Sequence, residues 1–235
     1  MTEGAHKRMG FSAIGGRKAK AEKIAAILAA AGSPLKAEHR VLDLGCGSGE
    51  IAAHLATLAR VECADAIDQR SQGRELPFAI ASQTLPFPNA SFDVVISNHV
   101  IEHTADPCAH VAEIQRILRP TGVAYLATPN RWWPWEVHAR LPFLHYLPWR
   151  LFSKLGMALG RLGEPVQLQS PRRLKHLTRG RLTSEVWHHR LLKSPEEFAL
   201  SFPKPMSSVL RLIPDSLLRL SAPLQPTLIV LLKPR

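Results

Sequence analysis

Sulfur, long apolar runs and, in its second half, acid are what this chain of 235 residues has little of. Its three cysteines, Cys46, Cys63 and Cys108, lie far apart, and no two form a Cys-x-x-Cys pair. That argues against a disulfide framework and a cysteine-held structural zinc, and for a reducing compartment. The longest apolar stretches, residues 24–31 and 228–232, fall far short of the roughly 20 residues of a membrane-spanning helix. The opening MTEGAHKRMG has no apolar segment, so no secretory signal is expected and the chain reads as cytoplasmic.

Acid is scarce in one part only. Residues 1–130 carry 13 Lys+Arg against 13 Asp+Glu, and residues 131–235 carry 17 against 6, so the whole net charge of +11 sits in the second part. All five tryptophans, Trp132, Trp133, Trp135, Trp149 and Trp187, sit there too. A neutral front and a basic, Trp-bearing back suit a polyanion, an anionic lipid surface or an acidic substrate on the back half.

What is present is a regular alternation of strand and helix. The composition of residues 17–31 predicts a helix stopped at Gly32. Strands are expected at 40–44, 60–64, more weakly at 77–81, and at 92–97 and 123–127. Helices are expected at 50–58 and from the Asp106-Pro107 cap to about 118. The pattern predicts an α/β fold: a doubly wound, mostly parallel sheet with helices on both faces. After Asn130 it changes. Residues 131–163 are rich in Pro, Trp and Leu and predict no strand, and residues 167–181 read as an exposed loop or frayed helix. Ser194-Pro195-Glu196-Glu197 predicts a capping box opening a short helix. Residues 205–220 predict one or two helices broken at Pro214, and residues 226–233 a last strand. The organisation expected is a single domain over 1–235, with a core at about 17–130, an insertion or lid at about 131–190, and C-terminal helices with the last strand at about 191–235.

The stretch Asp43-Leu44-Gly45-Cys46-Gly47-Ser48-Gly49 stands where a strand passes through glycines into a helix. Such a loop lets a nucleotide-like ligand come close, because a Cβ would block the approach or forbid the backbone angles. Gly47–Ala52 also matches G-x-G-x-x-A, the dinucleotide pattern. The register from Asp43 to Gly49 is narrower, and resembles motif I of class I S-adenosylmethionine-dependent methyltransferases. Further segments resemble that family in order: Leu85-Pro86-Phe87 through Phe92-Asp93, Val100-Ile101-Glu102-His103, Arg119-Pro120-Thr121-Gly122 and Thr128-Pro129-Asn130. Together they cover roughly residues 40–130 and are similar to its type 11, quinone-type members.

The resemblance implies a Rossmann-like methyltransferase fold with a helical, Trp-rich insertion after the fifth strand, and S-adenosyl-L-methionine as cofactor. It implies that Asp43, Gly45, Cys46, Gly47 and Gly49 hold the methionine end and that Asp65 binds the ribose hydroxyls, with Asp68 a weaker substitute. Asn98 is included among the cofactor residues. The family carries an acid a few residues before "LPF" to read the adenine amino group. This chain has Ala81-Ser82-Gln83-Thr84 there, so Ser82 or Gln83 is expected to take that bond.

His99-Val100-Ile101-Glu102-His103 also spells H-x-x-E-H, the inverted zinc-peptidase motif. It directly follows a strand, and no third ligand stands out among Glu136, Glu164 and Glu185, so no metal is expected. Within a methyltransferase, His103 or His99 is the candidate base for an oxygen nucleophile, lying where open α/β sheets place ligands. His138 and His145 are further candidates. The activity expected is methylation, at oxygen, of a small or lipid-linked acceptor. RNA methylation is the alternative raised by the basic half, and a non-catalytic cofactor-binding protein the alternative from another class. Residues 141–160 mix Trp, Phe and Leu with Arg and Lys, which suits peripheral contact with an anionic membrane as well as a lid over the substrate.

Overall fold

The computed structural model describes residues 16–200, 204–221 and 224–235. Among these, seven strands form one sheet in the order β3-β2-β1-β4-β5-β7-β6. They are β1 (Arg40–Leu44), β2 (Arg60–Asp65), β3 (Phe78–Ile80), β4 (Phe92–Asn98), β5 (Leu118–Pro129), β6 (Leu182–Val186) and β7 (Thr227–Pro234). The first five pair in parallel, and β7 runs antiparallel between β5 and β6.

Alternate residues of each strand feed opposite faces, as the period of two requires. Val41, Cys63, Val94, Ile96 and Tyr125 pack on one side with α1 (Gly16–Ala30) and α2 (Glu50–Leu55). Leu42, Leu44, Val95, Ala124 and Leu126 pack on the other with α3 (Pro107–Ile117) and α5 (Pro171–Thr178). Both faces are therefore covered, and the inner strands are mainly apolar, as a parallel sheet buried on both sides demands, with Asp43 and Ser97 as buried polar exceptions. The Asp106 carboxylate caps α3 by accepting from the Cys108 and Ala109 N–H groups at 2.8 and 3.2 Å, with Pro107 in the first turn.

The second half departs from expectation in three places. Residues 182–186 form the edge strand β6, which the exposed, polar sequence LTSEV does not announce. Residues 167–181 contain a formed helix, α5, capped by Ser170, whose Oγ accepts from the Arg173 N–H. Ser194 makes no side-chain cap, and Pro195–Phe198 closes as a single 3₁₀ turn after α6 (His188–Lys193). The helices α7 (Lys204–Leu212) and α8 (Asp215–Leu220) do break at Pro214. No helix among the described residues is long and apolar enough to cross a membrane.

The segment after β5 carries α4 (Trp149–Ala158) and a small core of its own, in which Ala139, Phe152, Leu162, Val166 and Leu168 are buried together. Gly156 is required there, since a Cβ would meet Leu162 Cδ1 at 2.5 Å.

Candidate cofactor and active site

The C-terminal ends of β1, β2 and β4 open into a cleft of about 550 Å³. Its walls bring together six residues singled out in the sequence: Gly45, Asp65, Ser82, Gln83, His99 and His103. Asp43, Cys46, Gly47, Gly49 and Asn98 stand outside this lining.

The glycine loop is built by internal packing as much as by access. A Cβ on Gly45 would lie 2.3 Å from Val100 Cγ2, and one on Gly49 would lie 2.1 Å from the Gln72 carbonyl oxygen. Both have a left-handed backbone, with φ of +76° and +78°. The loop after β2 lies on the glycine loop, with the Ser71 and Gln72 N–H groups both donating to Ser48 O. At Gly47 the space is open, with only the Arg17 guanidinium 3.9 Å away.

Asp65 is aimed by the backbone. Its Oδ2 accepts from the Gly47 N–H at 2.8 Å and its Oδ1 from the Ala66 N–H at 2.7 Å. Each oxygen keeps a lone pair for a further donor, which suits a diol. Asp68 is occupied elsewhere, both its oxygens gripping Arg70, which pulls its carboxyl well below the usual range. Arg70 in turn donates to Gly73 O and Leu76 O and so pins the loop. Asp43 is buried behind the glycines, and its Oδ2 has no hydrogen-bond partner. Burial, reinforced by the Asp65 charge, pushes its carboxyl up to about 7. Cys46 is buried beside Cys63, and that neighbouring thiol together with burial holds it protonated, so it is no nucleophile.

At the opposite wall, Ser82 spends its hydroxyl proton on Thr84 O at 2.5 Å, which leaves the oxygen as an acceptor. Gln83 is exposed beside it. The carboxylate of Glu113, also in the lining, takes the Leu85 N–H at 2.7 Å and the Arg116 guanidinium.

The turn after β4 carries the histidines. His99 has φ +62°, a strained conformation for a non-glycine residue, and its N–H donates to Ala127 O at 2.8 Å. Its Nδ1 lies 3.3 Å from Oε1 of Glu102, a fully buried carboxylate whose Oε2 accepts from Thr128 Oγ1 at 2.9 Å. Burial would raise the Glu102 carboxyl, but His99, a backbone N–H and His103 together hold it below the usual range and so ionised. His103, on the 3₁₀ turn Ile101–His103, points Nδ1 at Glu164 Oε1, 2.8 Å away. Sequence reasoning missed one participant, His110; it named Glu164 only as an available metal ligand and His138 only as a further base candidate. His110, on α3, bonds Ser97 Oγ at 2.9 Å, and burial lowers it to about 4, leaving it neutral. Glu164 reaches the cleft from the insertion. His138 stacks edge-on against His103, ring centroids 5.3 Å apart, and its Nδ1 lies 2.8 Å from the buried Glu136. His145 is buried against Tyr146 and Phe152, away from the cleft lining.

The model of the methyltransferase domain matches residues 16–181, well over half of the chain. The chain belongs to the methyltransferase family. This methyltransferase is of the S-adenosylmethionine-dependent class. It is 32% identical to a ubiquinone biosynthesis O-methyltransferase of Caulobacter vibrioides over 152 residues, covering 56% of this chain and 60% of that protein. It is 35% identical to the Parvibaculum lavamentivorans enzyme of the same name over 103 residues, 39% of this chain and 41% of that one. A probable S-adenosylmethionine-dependent methyltransferase of Mycobacterium tuberculosis is 39% identical over 98 residues, 39% of this chain and 36% of its own. The matched region thus spans 36 to 60% of the length of these relatives. Among solved structures, the YcgJ protein of Bacillus subtilis superposes with a TM-score of 0.55 at 18% identity, over 90% of this chain and 99% of that one. Phosphoethanolamine N-methyltransferase 2 of Haemonchus contortus, solved with S-adenosylmethionine, gives 0.55 at 17%, over 91% and 52%. These two likenesses establish the fold.

The residues present fit that cofactor. Gly47 leaves open space beside the carboxylate of Asp65, and Asp43 holds a buried oxygen without a partner at the loop's base.

Proposed function

We propose that this methyltransferase moves a methyl group from S-adenosylmethionine to an oxygen of a small or lipid-linked acceptor, with His99 as the base. The observation that carries this is the His99 imidazole at the cleft wall, its Nδ1 against a buried, ionised Glu102. Glu102 favours the tautomer with the proton on Nδ1, which leaves Nε2 free to accept a proton from a hydroxyl. His103, the other candidate, is held by the exposed Glu164 instead. The names of the Caulobacter and Parvibaculum relatives support an oxygen acceptor.

Asp65 would bind the ribose hydroxyls, Ser82 or Gln83 the adenine edge, and the loop from Asp43 through Gly45, Cys46, Gly47 and Gly49, with Asn98, the methionine end. When bound, the cofactor supplies a sulfonium methyl already activated for displacement, so the chain's own work is alignment and proton removal.

Calorimetric titration with S-adenosylmethionine and S-adenosylhomocysteine tests the shared core. Binding weakened by Asp65→Ala is expected, and absence of binding by the intact chain overturns the assignment. Transfer of labelled methyl into a lysate, fractionated into lipid, small-molecule and RNA pools, tests the acceptor. Label in RNA alone replaces the oxygen acceptor with the RNA reading raised by the basic half.

Contact with an anionic membrane belongs to the same reading. Trp149, Leu151, Leu155 and Leu159 are exposed along α4 and its end, interleaved with Arg150 and Lys154. Apolar side chains flanked by cations suit the headgroup boundary. Flotation with phosphatidylserine vesicles at low salt is the test, and absence of binding removes the contact.

A further inference from the structure

Two histidines at this end of the molecule are arranged in the same unusual way. His103 and His138 each turn Nδ1 onto a carboxylate at 2.8 Å, Glu164 for the first and Glu136 for the second. Glu136 is itself buried and fixed by the Ala139 N–H. A carboxylate that takes the Nδ1 proton fixes the tautomer and leaves Nε2 as the nitrogen able to bind something else. This is how metal-ligating histidines are held. The two rings face one another edge-on. Beside them is Glu102, fully buried, with Oε2 taken by Thr128 and Oε1 without a hydrogen-bond partner. The Nδ1 of His99 faces Oε1 from 3.3 Å without the alignment of a hydrogen bond, which leaves a lone pair for another partner.

One ligand atom each from Glu102, His103 and His138 lie within 4.8 Å of one another. Zinc-class ions sit about 2.0–2.2 Å from nitrogen and oxygen ligands. Closing the trio onto one ion therefore needs shifts of up to about 0.7 Å at each ligand atom. We propose that Glu102, His103 and His138 form a two-imidazole, one-carboxylate site for a divalent transition-metal ion. The ion staples the insertion, which supplies His138, to the turn after β4, which supplies Glu102 and His103. Three carboxylates, those of Glu102, Glu136 and Glu164, stand around the two imidazoles, which favours a cation. The nitrogen donors select zinc, cobalt or nickel over magnesium. His103 lines the cleft, so the ion has a route in and a coordination position open to water.

The H-x-x-E-H pattern in the sequence pointed to this region with a different ligand set. His99 sits in left-handed backbone before the 3₁₀ turn, and the cluster does not include it. The third ligand lies 35 positions beyond His103, outside any local motif.

The staple asks nothing of the acceptor and is tested without one. Untagged full-length chain, stripped with chelator, is titrated with Zn²⁺ and separately with Co²⁺, whose visible bands report coordination number. One equivalent is expected to bind, with Mg²⁺ failing to compete at a hundredfold excess. His138→Ala and Glu102→Gln are each expected to weaken binding at least tenfold, while His176→Ala on α5 leaves it unchanged. Retained S-adenosylmethionine binding in each variant certifies the fold. Hydrogen exchange over residues 131–166 is expected to slow when zinc is added. Absence of stoichiometric binding overturns the site, as does binding indifferent to both variants. Binding without slowed exchange in the insertion overturns the staple.

Discussion

The cofactor half and the insertion are held together by different means. Around the glycine loop, backbone meets backbone: Gly49 presses on the Gln72 carbonyl, Ser48 receives two N–H groups, and Asp65 is aimed by two more. The insertion has a core of five buried apolar residues, and it meets the turn after β4 through the His103–Glu164 pair, the His103–His138 stack and a Gln167 N–H bond to Glu102 O. Backbone packing fixes geometry whatever side chains change around it, whereas side-chain contacts can be re-specified one at a time. The first suits a cofactor that does not vary, and the second suits a wall that selects an acceptor.

Four measurements sharpen or break this contrast. The largest effect belongs to Gly49→Ala, where the new Cβ meets a carbonyl oxygen at 2.1 Å in left-handed backbone. A loss of more than about 3 kcal/mol, read by denaturant unfolding, is expected, because the obstacle is main chain and not a rotatable side chain. Next comes Phe152→Ala, which empties the centre of the insertion core. About 3 kcal/mol is expected to be lost locally. Hydrogen exchange should rise across residues 131–168, with S-adenosylmethionine affinity preserved. A fall in the stability of the whole sheet would show that the two regions are one cooperative unit.

Smaller is Asp65→Asn, expected to weaken S-adenosylmethionine by about tenfold, or 1.4 kcal/mol, through loss of a charged acceptor. The last is a pH effect, read one pH unit at a time. Asp43 is raised from 3.8 to about 7, so the folded state binds a proton that the unfolded chain has released. Stability from this group is full below about pH 4 and falls as pH rises to about 7. The slope reaches at most about 1.4 kcal/mol per pH unit. In Asp43→Asn that portion of the slope should vanish, and an unchanged profile would mean that Asp43 titrates normally.

The cofactor half was largely legible from sequence because its signals are local. The strand at 40–44, the glycines after it and Asp65 at the next strand's end lie within one strand–helix–strand unit, and each element obeys its own periodicity. What local signals could not convey is which acid is free. Asp68 looks available in sequence and is spent on Arg70, and Asp43 looks like a cleft residue and is buried behind the loop. The second half was less legible for the opposite reason. The edge strand β6 has four exposed residues of five, so burial never imprinted an alternation on it. The partnership of His138 with His103 depends on how residues 131–166 fold back, which no spacing encodes.

The place of β7 in the sheet has a consequence for how the molecule is made. Residues 227–234 are the last strand in sequence and sit between β5 and β6, bonded to both. A chain emerging from its N-terminal end therefore carries β1 to β5 with one flank of β5 unpaired until about a hundred further residues have appeared. During that interval Ala124 to Ala127, buried in the finished protein, offer an apolar edge to any neighbouring nascent strand. Yield in expression should thus depend on how fast the ribosome crosses residues 130–226. Removal of β7 should produce aggregates even though every cofactor-facing residue lies upstream of it.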